Sequence, residues 1–227
     1  MKSNLLFILI IFSSAYCLSQ NSLKEYYYPI SAKPTTKIYK YVDKQDSTNV
    51  EYWKVTYLPE RNELQTISYD SKFNIYNRFY EKITENGAEL ISYYDMETIE
   101  SGRLIEIKSK VIDKDVYKWY SDKEYSYSVK YTNKYGRFDF KKTREQKGLE
   151  KINVKGKEYL VAKFKDSYII YSIDHDTEYR FYQDTYYAKN IGMVKYKRNI
   201  PLEHRIVELE LSEILTEKEF ESIKASR

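Results

Sequence analysis

The residue types most able to do chemistry in this chain are few. One of its two histidines, His175, stands between Asp174 and Asp176. An imidazole between two carboxylates is a donor set for a cation or a proton relay. Neighbouring residues of a strand point to opposite faces, so the three side chains could converge only in a turn, and a turn is expected between Ile173 and Thr177. An ordinary polar hairpin end has the same composition, and that is the reading adopted. His204 follows Glu203 and Pro201 in a loop. No nucleophile is set up: there is no Gly-x-Ser-x-Gly elbow, and the single cysteine, Cys17, lies near the N-terminus. There is no His-Glu-x-x-His, no EF-hand loop and no phosphate-binding glycine loop. The 34 acidic residues offer many carboxylate pairs, none singled out by spacing. The expectation is a protein that is not an enzyme, holds no metal and uses no cofactor.

The tyrosines are the other candidates. There are 27 in 227 residues. Each buries a large ring and needs a partner only for its hydroxyl. They suit strands and core filling, and they also suit an aromatic cleft for apolar ligands or a platform for sugars. Three strands supply aromatic-rich faces: Val50 to Leu58, Glu124 to Thr132 and Tyr168 to Ile173. The expected cleft is lined by Trp53, Tyr57, Tyr125, Tyr127, Ile169 and Tyr171, and it accepts an acyl chain or similar apolar group.

The elements that must position these residues read almost entirely as strands. Alternation at period two recurs along the chain, for example Trp53, Val55 and Tyr57 against Lys54 and Thr56. Further strands are expected over 37–42, 64–69, 73–84, 88–96, 103–112, 116–120, 137–143, 151–154, 157–165, 177–182 and 205–215. Asn86-Gly87 and Lys155-Gly156 mark hairpin turns, and Gly148 is placed in a charged loop. The stretch from Thr185 to Arg198 joins an aromatic run to the alternating Met193, Val194, Lys195, Tyr196, Lys197, with Gly192 between them as a structural kink, either a bulge or a positive φ. Thr216-Glu217-Lys218-Glu219 forms a capping box for a short C-terminal helix carrying Phe220 and Ile223 on one stripe. The fold class is all-β: a single antiparallel, strongly curved sheet or half-open barrel of about a dozen strands.

Residues 1–19 read as a signal peptide. Lys2 precedes the apolar run Leu5 to Phe12, which is too short to span a bilayer, and small residues lead to a cleavage site before Gln20. Residues 20–227 then form one β domain, exported to the periplasm or the extracellular space. Lipid anchoring through Cys17 is the alternative, although Tyr16 is large for the position before a lipid-bearing cysteine. The net charge of +4 is modest and mixed in sign, which argues against nucleic acid as a partner. No later stretch is long and apolar enough to be a transmembrane segment.

Several runs taken together resemble a known group. Tyr26-Tyr27-Tyr28-Pro29 precedes Lys37-Ile38-Tyr39-Lys40-Tyr41. A hairpin at Gly156 leads into Glu158-Tyr159-Leu160-Val161-Ala162-Lys163-Phe164. Then comes Tyr186-Tyr187-Ala188-Lys189-Asn190-Ile191-Gly192-Met193-Val194-Lys195-Tyr196. The chain is similar to uncharacterised exported proteins of Bacteroidetes-type bacteria related to the DUF3108 family. The resemblance implies the half-open barrel of the lipoprotein carriers LolA and LolB and, by analogy, the handling of a lipid-like ligand; it brings no catalytic residues with it. Fold analogy does not by itself give function. The expected role is non-catalytic binding of an apolar or lipid-like ligand. Alternatives are a structural module with a protein partner in the cell envelope, and a glycan-binding module.

Overall fold

The computed structural model describes residues 22–99, 102–120 and 123–226. The expected signal peptide, its cleavage site and Cys17 lie outside the described residues. Thirteen strands follow one another: β1 (Thr35–Asp43), β2 (Val50–Leu58), β3 (Glu63–Tyr69), β4 (Ile75–Ile83), β5 (Gly87–Thr98), β6 (Leu104–Lys108), β7 (Lys110–Lys118), β8 (Tyr125–Asn133), β9 (Gly136–Val154), β10 (Lys157–Ser172), β11 (Thr177–Ala188), β12 (Gly192–Ile200) and β13 (Arg205–Leu215), and then a helix, α1 (Glu217–Ala225). Each sequence neighbour pairs antiparallel where the connection is short. β1 pairs with β13 and β4 with β5, so the sheet closes on itself as a twelve-stranded barrel. The extra strand β6 pairs with the far half of β5 and runs through Ser109 into β7. Closure leaves no half-open side and removes the sheet edges that an open sheet would have to protect.

Several segments expected to be separate are continuous. β9 runs through Gly148, which was expected in a loop. Gly148 has φ +109°, and the β9–β10 register shifts there, with Gly148 opposite Lys163 and Gln146 opposite Phe164. A glycine in this backbone region lets a long strand take an extra residue as a bulge and bend round the barrel. The two expected strands across Asp166 and Ser167 are likewise one, β10. Asp166 stays in the strand because an ion pair satisfies its carboxylate.

The outward-facing rows are charged and cross-paired. Lys40 pairs with Glu213, Lys44 with Glu208, and Lys195 with Glu208 and Glu210. One outer patch is apolar: Ile38, Val50, Tyr52, Tyr69 and Leu215. α1 covers it by inserting Phe220, which is 1% exposed, against Tyr52, Tyr69 and Phe73. The capping box is formed, with Glu219 N–H donating to Thr216 Oγ1 at 3.3 Å and Thr216 N–H donating to Glu219 Oε2 at 2.7 Å. Among the described residues no helix is long and apolar enough to cross a membrane.

The N-terminal segment enters the barrel. Lys24–Tyr26 makes one 3₁₀ turn, and Leu23, Tyr26, Tyr27 and Tyr28 are all buried in the main core. Leu23 N–H donates to the Trp119 carbonyl at 2.8 Å and Asn190 N–H donates to that of Glu25 at 2.6 Å. The segment thus plugs the end of the barrel formed by the turns at 59–62, 84–86, 155–156 and 189–191. Gly192, with φ +101°, lies against this plug: a Cβ there would stand 2.4 Å from Tyr28 Cδ1.

A candidate ligand cavity at the waist of the barrel

Above the plug the interior changes character. Strand pairing places Arg144 of β9, Asp166 of β10, Gln183 of β11 and Arg198 of β12 side by side in one row. Their side chains point inward and form a polar belt. Arg144 donates to Asp166 through Nε at 2.7 Å and Nη2 at 2.9 Å, a bidentate pair. Thr185 Oγ1 donates to Asp166 Oδ2 at 2.7 Å, and Lys142 Nζ lies 3.0 Å from the same oxygen. Arg198 Nε donates to Gln183 Oε1 at 3.0 Å. The next row toward the far end is mainly aromatic: Tyr127, Lys142, Tyr168 and Phe181.

Between plug and far end lies a cavity of about 230 Å³, lined by aromatic rings (Trp53, Phe79, Tyr93, Tyr127, Phe140, Tyr168, Phe181), by the tyrosines of the plug, and by Glu81, Lys142, Arg144 and Arg198. Burial alone would raise the Asp166 carboxyl; the Arg144 guanidinium and the Lys142 ammonium outweigh it and hold the group well below the usual range. Burial, with Arg144 beside it, lowers Lys142 to about 8. Burial pushes Glu81 up to about 7, against the opposing pull of the Tyr27 hydroxyl, which donates to it at 2.8 Å. A third acidic side chain, Glu51, accepts from Tyr196 Oη, Tyr76 Oη and Trp53 Nε1 at 2.9, 2.9 and 3.0 Å. The belt groups named above are hydrogen-bonded or ion-paired to one another.

The residues expected to line a cleft divide. Trp53 and Tyr127 are on the cavity wall. Tyr57 is buried in the plugged half beside Val55 and Leu64, its hydroxyl 3.3 Å from Asn62 Oδ1. Tyr125 is buried next to Arg144 in the register of β8 on β9, off the cavity wall. Ile169 and Tyr171 belong to the other row of β10. Tyr171 is turned outward and donates to Asp176 Oδ1 at 2.5 Å. The inward row is Phe164, Asp166 and Tyr168, so a carboxylate occupies the face toward the core while the apolar end of the other row, Ile169 and Tyr171, looks out. The wall residues Phe140, Tyr168, Phe181, Lys142 and Arg198 have a sequence signal, their own period-two rows, but it does not say which of two rows faces in.

The Asp174-His175-Asp176 turn holds its two aspartates apart. Asp174 is clamped by Arg137, whose N–H and Nε donate at 2.7 and 2.8 Å, and Asp176 is taken by Tyr171. Among the described residues no group of three histidine, cysteine, aspartate or glutamate side chains is placed to hold a metal ion. His204 sits in a left-handed conformation after the 3₁₀ turn Pro201–Glu203.

No family model matches the chain, and no curated protein matches it. Solved structures do. A candidate lipoprotein from Parabacteroides distasonis superposes with a TM-score of 0.51 at 15% identity, covering 83% of this chain and 97% of that one. A candidate exported protein with a YmcC-like fold from Bacteroides fragilis superposes with a TM-score of 0.50 at 13% identity, covering 84% of this chain and 99% of that one. At these identities the likeness is one of fold. The resemblance drawn from the sequence therefore stands at that level: no DUF3108 model matches, and the chain shares its architecture with Bacteroidetes proteins described as exported or as lipoproteins.

Proposed function

We propose that this is a non-catalytic exported protein that binds an apolar or amphiphilic, lipid-like ligand inside the barrel. The observation that carries the reading is the cavity of about 230 Å³, ringed by aromatic side chains, in a barrel whose other half is filled by tyrosines. Interiors are normally packed to crystal-like density, and a sizeable aromatic cavity with a few placed polar groups is the usual form of a small-ligand site. The volume lies below the ~300–1,000 Å³ common for drug-sized ligands. It suits one ring system or a short acyl segment rather than a whole membrane lipid.

Titration with the neutral fluorophore N-phenyl-1-naphthylamine tests this. Saturable 1:1 binding is expected, abolished when Thr66→Trp fills the cavity from its wall. An absence of saturable binding to the wild-type protein overturns the reading. Export belongs to the same proposal: a mature N-terminus at Gln20, or a lipid on Cys17, would be read by mass spectrometry of the cell-derived protein, and an unprocessed Met1 would count against it.

A further inference from the structure

We infer that the ligand of this cavity carries an oxyanion, a carboxylate in the simplest case, received by Arg198 and Lys142. The inference rests on the binding reading above and adds the chemical class of the ligand.

Three cations face the cavity: Lys142, Arg144 and Arg198. Arg144 is fully engaged by Asp166, and Lys142 shares that one carboxylate. Arg198 is different. It donates through Nε to the neutral Gln183, and its guanidinium lies over the rings of Phe181 and Tyr196 at 5.2 and 5.1 Å. Among the described residues no carboxylate lies within 4 Å of it. Glu51 is the next acidic group on that side, but the Tyr196 hydroxyl, Tyr76 and Trp53 already occupy its oxygens. Arg198 is half-buried, and a guanidinium partly withdrawn from water without a counter-ion gains from a partner that supplies charge or hydrogen bonds. Its planar donor fork matches a carboxylate or a similar oxyanion.

The remaining charges point the same way. Glu81, which faces Tyr27, Arg144 and Lys142, is pushed up to about 7 and so is only partly ionised near neutral pH. The cavity is then left with more positive than negative charge. The belt lies beneath the aromatic row of Tyr127, Tyr168 and Phe181, so a ligand with an anionic head and an apolar body would meet a cation with one part and rings with the other.

The test uses two fluorophores that share a skeleton and differ by one sulfonate: 1-anilinonaphthalene-8-sulfonate and N-phenyl-1-naphthylamine. The readout is the ratio of their affinities. The wild-type protein is expected to prefer the anionic probe at least tenfold, and Arg198→Gln to bring that ratio toward one. On the wild-type protein alone the ratio should fall between pH 6 and pH 9, as Glu81 becomes ionised and Lys142 loses its proton; this arm holds even if the variant does not fold. Octanoate and 3-phenylpropanoate as competitors distinguish an acyl source from a free aromatic acid. A ratio near one in the wild type, or a ratio unchanged by both Arg198→Gln and pH, overturns the inference while leaving the cavity reading intact. Failure of both probes to bind overturns the two together.

Discussion

The two halves of the barrel interior use the same residue type in opposite ways. In the plugged half, three tyrosine hydroxyls end on neutral backbone carbonyls, Tyr39 on Ile191 at 2.7 Å, Tyr41 on Met193 at 2.9 Å and Tyr117 on Leu23 at 3.3 Å, while Tyr27 reaches up to the Glu81 carboxylate at 2.8 Å. Their rings pack edge to face, as Tyr28 does with Tyr39 and Tyr117 with Tyr187. At the waist, two tyrosine hydroxyls, those of Tyr76 and Tyr196, share one carboxylate, Glu51. Charges there are buried in a belt, and space is left over. The first half has the order of a packed core. The second holds polar groups that each need a named partner. A count of tyrosines cannot separate the two, since what matters is the acceptor each hydroxyl finds.

The sharpest way to break the contrast is to remove the anion of the belt. Asp166→Ala leaves Arg144 and Lys142 buried against each other. Breaking a buried pair from one side typically costs about 3–5 kcal/mol, and urea unfolding at neutral pH should show a loss of that size. A loss under 1 kcal/mol would mean that water already screens the belt. In the plugged half the corresponding lesion is steric. Gly192→Val must place a branched side chain at φ +101° and push the Tyr28 ring, which a Cβ would approach to 2.4 Å. Backbone strain and overpacking together suggest about 2–4 kcal/mol. An unchanged melting temperature would show that the plug is not held at this point.

Glu81 joins the two halves, because Tyr27 of the plug donates to it from below. Its folded pKa of about 7 lies above the ordinary glutamate value of 4.5. Between these values the native state keeps a proton that the unfolded chain has lost. Stability therefore falls as pH rises from 4.5 to 7 and is level above that. Glu81→Gln keeps an acceptor for Tyr27 and removes the titration, so it should be close to neutral at pH 4.5 and stabilising by up to ~3 kcal/mol at pH 8. Thermal melts of both proteins across that range decide it. Parallel profiles would mean that Glu81 is solvated in the native state.

Much of this organisation is legible in the sequence. Val50–Leu58 and Arg205–Leu215 stand out by alternation alone, and the Thr216 capping box announces α1 because its partners are three residues apart. Parity is harder. β10 offers two regular rows, and the one that faces in contains Asp166, which looks unsuited to an interior until Arg144 and Lys142 arrive from β9. That pairing depends on a register shifted at Gly148, which no local pattern reveals. The plug is harder still. Tyr26-Tyr27-Tyr28 before Pro29 reads as an extended lead-in, and only the closed barrel gives those rings an interior to enter. Trp53 and Tyr127 reach the cavity because their strands have one plainly apolar row; Arg198 shares a row with Val194, Tyr196 and Ile200, and a charge there does not announce that it faces in.

The smallest expected effect tests the tyrosine contrast directly. Tyr76→Phe and Tyr39→Phe delete the same atom in the two halves. Tyr76 donates to the Glu51 carboxylate at 2.9 Å, and Tyr39 to the Ile191 carbonyl at 2.7 Å. Hydrogen bonds to charged groups contribute about 1.5–3 kcal/mol net and neutral ones about 0.5–1.5 kcal/mol. Tyr76→Phe should therefore destabilise more, although its bond is no shorter. The carboxylate left behind keeps Tyr196 and Trp53 as donors, which places the loss toward the low end of its range. For Tyr39 the acceptor is the turn carbonyl of Ile191 beside Gly192, in a part-buried bond, so its loss falls low as well. The expected order is preserved, with a gap of roughly 1 kcal/mol in urea unfolding free energy. An equal or reversed order would mean that the Glu51 carboxylate is solvated, and the waist would then be less polar in its energetics than its side chains suggest.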